Sequence, residues 1–205
     1  MVVVAENLNR LVTSDSELTR KIVHIGSGNV ILLAWWLNIP ATVIIGASII
    51  AGLVALTSYI VPILPSINSV GRKSWGTFFY AVSIGVLIAY FWYPGQRHYA
   101  VIGILIMAWG DGLAAIIGQQ WGKHGYEILG TKKSWEGSLA MMLASFVVVS
   151  ATMLVVSGIS WNIWMIALTV AVAATFLEAF SKLGIDNLTV PLGSAALSLF
   201  LGQIL

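Results

Sequence analysis

Apolar runs of about 17 to 24 residues, recurring along the whole chain, limit most strongly what it can fold into. They cover residues 22–38, 41–64, 76–93, 99–118, 137–158, 161–180 and 188–205. At about 1.5 Å of rise per residue, each is long enough to cross the hydrocarbon of a bilayer as a helix. Composition agrees, because only 9% of residues are charged and 59% are hydrophobic, against about 25% charged in a soluble domain. Mean hydropathy is +0.93. The expected fold is an all-α, multi-pass transmembrane helical bundle of about seven spans. It forms one domain over residues 20–205, preceded by an N-terminal cytoplasmic segment, 1–19.

The connectors alternate in charge. Those on the side of the N-terminus carry Arg10, Arg20, Lys21, Arg72, Lys73, Lys123, Lys132, Lys133 and Lys182, whereas the other side carries Arg97 alone. By the positive-inside rule the basic face is cytoplasmic, or stromal in a plastid. Trp35, Trp36, Trp92, Tyr93, Trp161 and Trp164 fall at the far boundary, and Trp75, Trp121 and Trp135 at the near one. Residues 1–19 hold neither a signal-peptide core nor an Arg-rich, acid-poor transit composition, which points to a bacterial or plastid membrane. Within them, Ser14-x-x-Glu17 offers a capping box for a first helix that lines up Arg20, His24 and Ser27. With no cysteine, disulfides and thiolate metal sites are excluded. A net charge of +2 gives no reason to expect a nucleic-acid partner. Nothing in the pattern sets an oligomeric state.

One stretch departs from the apolar pattern. Asp111 lies deep in the fourth run, roughly 10 Å below its basic end, where a carboxylate costs about 2.5 to 3.5 kcal/mol to insert. Ala114, Gly118 and Gly122 follow it at helical spacing, a strip of small residues that suits either a close ligand or simple helix packing. Beyond a loop come Lys132, Lys133, Ser134, Glu136 and Gly137, with Ser134 placed to cap the next helix. A helix N-terminus carries about half a positive charge, so two lysines there suit phosphate oxygens; the same lysines also read as ordinary topology signals. A carboxylate for a metal and a cationic cradle for phosphates are parts that phosphoryl or nucleotidyl transfer requires. Arg72-Lys73-Ser74-Trp75-Gly76 echoes Lys132-Lys133-Ser134-Trp135-Glu136-Gly137, so two cationic helix entrances would face the same side. Glu178 and Asp186 lie toward that side as well. They read either as further metal ligands or as local partners, Glu178 pairing with Lys182 and Asp186 with Asn187 capping the last helix, where Pro191 is tolerated in the first turn.

The arrangement Asp111-x-x-Ala114-x-x-x-Gly118-x-x-x-Gly122, followed after nine residues by Lys132-Lys133-Ser134-x-Glu136-Gly137, resembles the CTP-binding signature of the dolichol kinase and phytol kinase family. Three other stretches are similar to the same proteins. They are Glu17-x-x-Arg20-Lys21-x-x-His24-x-x-x-Gly28, the segment from Arg72 to Tyr80, and Asp186-Asn187-Leu188-Thr189-Val190-Pro191. The last is most like phytol kinases.

This resemblance implies a membrane kinase that moves the γ-phosphate of CTP to a long-chain isoprenoid alcohol, phytol being favoured, with Mg²⁺ or Mn²⁺ as cofactor. Under it, Asp111 holds the metal, with Glu178 and Asp186 as further candidates. Gly118, Gly122, Lys132, Lys133, Ser134, Glu136, Gly137, Arg72 and Lys73 bind the nucleotide, Asp111, Lys132 and Lys133 being catalytic. Arg20, Lys21, His24 and Asn187 contact substrate or phosphate, and membrane lipids surround the whole. Two other readings use the same residues: a cytidylyltransferase making a CDP-lipid, and a transporter with Asp111 as its ion site. Charge confined to one face favours the enzyme over the transporter.

Overall fold

The computed structural model describes residues 16–60 and 75–205, with the backbone alone for 16–20 and for Ile60. Expectations that rest on residues 1–15 and 61–74, including Arg10, the Ser14 capping box, Arg72, Lys73 and Ser74, lie outside the described residues.

Helices α1 (Ser16–Gly28) and α2 (Val30–Trp36) are followed by α3 (Ala41–Ile60) and α4 (Gly76–Phe91). Next, α5 (Arg97–Leu105) runs through a π-helical turn, Ile106–Asp111, into α6 (Gly112–Trp121), so that 25 residues form one continuous helix. A hairpin of β1 (Gly125–Ile128) and β2 (Thr131–Ser134) leads into α7 (Trp135–Ser157), α8 (Trp161–Ala179) and α9 (Asp186–Ile204). The chain is thus an all-α, membrane-type protein, with one small hairpin among the described residues. Among the described residues five helices are long and apolar enough to cross a membrane, and α4, at 16 residues, is a shorter apolar one.

The continuous helix from Arg97 to Trp121 is the axis of the bundle. Of its most apolar stretch 72% is buried, against 22–39% for the four other long helices. Those helices turn large apolar side chains outward, among them Ile50, Leu53, Val147, Val155, Leu168 and Phe200. Lipid is as apolar as leucine, so burial alone does little to hold such helices together, and close approach has to contribute. Glycine supplies it: a Cβ on Gly103 would come within 2.4 Å of the Pro191 carbonyl oxygen, and one on Gly110 within 2.6 Å of the Met141 sulfur.

Polar contacts fasten the two ends. At one, the Trp92 indole donates to the Ile39 carbonyl at 2.9 Å, and Arg97 donates to the Asn38 side chain at 2.6 Å. At the other, the Trp75 N–H donates to the Leu183 carbonyl at 3.2 Å, and Lys133 reaches Glu178.

Three details differ from the sequence reading. The run 22–38 is broken at Asn29, whose amide donates to the Ile25 carbonyl at 2.9 Å and accepts from the Trp109 indole at 3.1 Å. Such local side-chain bonding competes with the helical ladder. Pro191 sits sixth in α9 rather than in its first turn, and is fully buried against the axis helix. The loop before α7 is an antiparallel hairpin, closed at Leu129-Gly130, both with positive φ (52° and 76°). Two central residues with φ above zero give the turn whose twist matches a two-residue hairpin.

Candidate functional site

The π-helical turn ends on Asp111, which is 5% exposed. Wide turns of this kind often mark functional positions inside α-helices. Lys21 of α1 donates to the Asp111 carboxylate, so the costly acid of the fourth run has a cation 90 residues away in sequence as its partner. His24, one turn further along α1, has its ring 4.2 Å from that of Tyr80.

A second buried pair forms beside it. Lys133, on β2, donates to both the carboxylate and the backbone carbonyl of Glu178. Glu178 therefore pairs with Lys133 rather than with Lys182. Its neighbour Lys132 is exposed and stands opposite Glu127 across the hairpin, as strand alternation requires. Removing one member of a buried ion pair strands the other, so both contacts constrain the fold wherever else they act.

Ser134 caps α7 as expected, its hydroxyl accepting from the Gly137 N–H at 3.1 Å. The small-residue strip fits around it. A Cβ on Gly122 would come within 2.7 Å of the Ser134 hydroxyl, and one on Gly137 within 2.8 Å of the Ala114 carbonyl. The strip thus lets the first turn of α7 sit directly on α6, which is the packing role of such residues.

Between these elements lies a cavity of about 350 Å³ lined by Asp111, Ala114, Gly118, Gly122, Lys132, Lys133, Ser134, Gly137 and Glu178, together with Ala115, Gln119, Gly125 and Ser138. Small-molecule sites begin at about this size. It joins a carboxylate at its floor to two lysines and a helix N-terminus, a combination suited to an anion that carries a hard cation.

Other predicted residues lie apart from the cavity. Glu136 turns away from it and accepts from the backbone N–H of His124 at 3.3 Å and from its ring at 2.7 Å. With the Trp135 N–H donating to the His124 carbonyl at 3.0 Å, this contact braces the base of the hairpin. Asn187 bonds locally, its amide donating to the Gly184 carbonyl at 3.2 Å and to Asp186 at 2.9 Å. Asp186 is the first residue of α9 rather than its cap. For Arg20 the position on α1 alone is described. Among the described residues no three His, Asp or Glu side chains gather into a metal-holding group.

Sequence reasoning passed over Tyr80, Tyr126 and Gln119. Tyr80 stood at the end of a stretch already singled out. Tyr126, which bonds the Ser138 hydroxyl at 2.5 Å, is legible only once the hairpin is known.

No family model matches the chain, and no solved structure matches it. Among curated proteins it is 54% identical over 198 residues to the phytol kinase of Synechocystis sp., an alignment covering 97% of this chain and 85% of that one. It is 26% identical to a probable chloroplastic phytol kinase 2 of Glycine max, over 91% of this chain and 66% of the relative. It is 28% identical to the chloroplastic phytol kinase 1 of Arabidopsis thaliana, over 95% of this chain and 69% of the relative.

Proposed function

The chain belongs to the phytol kinase family, and from that premise we propose that it is a membrane-embedded kinase transferring the γ-phosphate of CTP to a long-chain isoprenoid alcohol, phytol foremost. The observation that carries the reading is the cavity. It gathers Asp111, Ala114, Gly118, Gly122, Lys132, Lys133, Ser134 and Gly137, every signature residue but Glu136, around one volume at the basic end of the bundle.

The division of labour follows from solubility. An isoprenoid tail dissolves in hydrocarbon and presents its hydroxyl from within the bilayer, while a triphosphate arrives from water. A site just below the basic ends of the helices serves both. Lys132, Lys133 and the positive N-terminal end of α7 take the phosphate oxygens. Glu178 holds Lys133 against the cavity wall, so its ammonium is oriented before nucleotide binds, which is how preorganised charge contributes to catalysis.

Asp111, which lines the cavity, would hold a Mg²⁺, a hard cation that takes one or two carboxylates. When bound, that ion neutralises charge on the phosphates. In the transfer the alcohol oxygen bonds to the γ-phosphorus, the bond from that phosphorus to the β–γ bridging oxygen breaks, and CDP leaves with the electron pair. The alcohol proton passes to the Asp111 carboxylate. Positioning and charge neutralisation dominate such reactions, so no stronger base is needed.

Supplying purified protein with phytol and CTP labelled at either the α or the γ position tests this. Label entering lipid from the γ position alone is expected. Label from the α position in the lipid means a cytidylyltransferase, and transfer of neither overturns the kinase reading.

A further inference from the structure

Lys21, His24 and Gly28 fall on one face of α1, at i, i+3 and i+7, and that face meets the axis helix. Lys21 meets Asp111, and Gly28 meets Ala108, where a Cβ would come within 2.3 Å of the alanine's own Cβ. Into the same seam projects Tyr80 of α4. Its ring lies against His24, its hydroxyl would stand 3.1 Å from a Cβ on Gly28, and the residue is 9% exposed. Among the described residues that hydroxyl is buried without a hydrogen-bond partner.

A phenol set this deep in an apolar bundle is expensive unless its oxygen has work to do. Tyr80 is absent from the lining of the nucleotide cavity, whereas Asp111 belongs to it. Asp111 therefore belongs both to the cavity, which it lines, and, through Lys21, to the seam that holds His24 and Tyr80.

Resting on the kinase reading, we propose that Tyr80 positions the acceptor: its hydroxyl donates a hydrogen bond to the alcohol oxygen and holds it beside Asp111, in line with the γ-phosphorus. The bond would fix the hydroxyl end of the substrate whatever the length of its tail.

Tyr80→Phe removes one oxygen and keeps the ring against His24. Assayed as the full chain in lipid–detergent micelles with CTP and Mg²⁺, this variant is expected to lose about tenfold in kcat/KM for phytol. Its KM for CTP stays within about twofold of the parent, and the loss is equal for phytol, geranylgeraniol and farnesol. An unchanged phytol reaction, a matching rise in the KM for CTP, or a loss that grows with tail length overturns the assignment while leaving the kinase reading in place. A parent chain that phosphorylates none of the three alcohols overturns the kinase reading itself, and this assignment with it.

Discussion

Lys21–Asp111 and Lys133–Glu178 are the same contact chemically, an ammonium on a carboxylate in an apolar bundle, but they occupy different places in the fold. The first joins two helices, α1 and the axis, and its acid forms part of the cavity floor. The second joins a hairpin strand to α8, and its cation lines the same cavity. Where the acid is the working member, the lysine compensates it. Where the lysine is the working member, the acid aims it. A buried ion pair is weak evidence for net stability, so the two are better understood as placing one reactive charge each.

The comparison breaks most sharply at Asp111. Asp111→Asn should lower turnover by at least about a hundredfold, and the same change leaves Lys21 buried without its counter-charge. Lys21→Met alone should cost about 3 to 5 kcal/mol of stability by stranding the acid. The double variant is expected to recover thermal stability in a melting experiment without recovering turnover. Recovery of both would make the pair structural and nothing more.

At the second pair the effects are smaller and one-sided. Lys133→Ala should raise the KM for CTP about tenfold and Glu178→Gln about threefold, with the KM for phytol unchanged in each. Steady-state kinetics with each substrate varied in turn decides this, and equal changes in the two KM values would return Lys133 to a topology signal. Smallest is the exposed brace at the hairpin base. His124→Ala should change the KM for CTP by less than about threefold, since an exposed contact of this kind contributes little. A larger loss would put Glu136 among the nucleotide contacts after all.

Much of the architecture was legible beforehand. Helices formed where the apolar runs lie, Ser134 caps α7, and helical spacing already placed Asp111, Ala114, Gly118 and Gly122 on the one face that borders the cavity. The break at Asn29 was not legible, since it depends on Trp109 reaching the asparagine from another helix. Nor was the hairpin, whose turn places Leu129 at a φ that leucine seldom adopts. Glu136 looked like a nucleotide contact from its neighbours in sequence, and its orientation toward His124 comes from the hairpin that brings them together.

By itself, the sequence determined that this chain builds an apolar helical bundle, that its cations gather at one end, and which residues are candidates for phosphate and metal. Periodicity and composition act locally, and local spacing rules reach only three or four residues along a helix. Which carboxylate each lysine meets was decided by the tertiary structure alone. Lys21 finds Asp111 across 90 residues and Lys133 finds Glu178 across 45, while the nearby Lys182 is passed over. In a medium of low dielectric an unpaired charge is costly, so packing has to bring each acid a partner from whichever helix stands beside it.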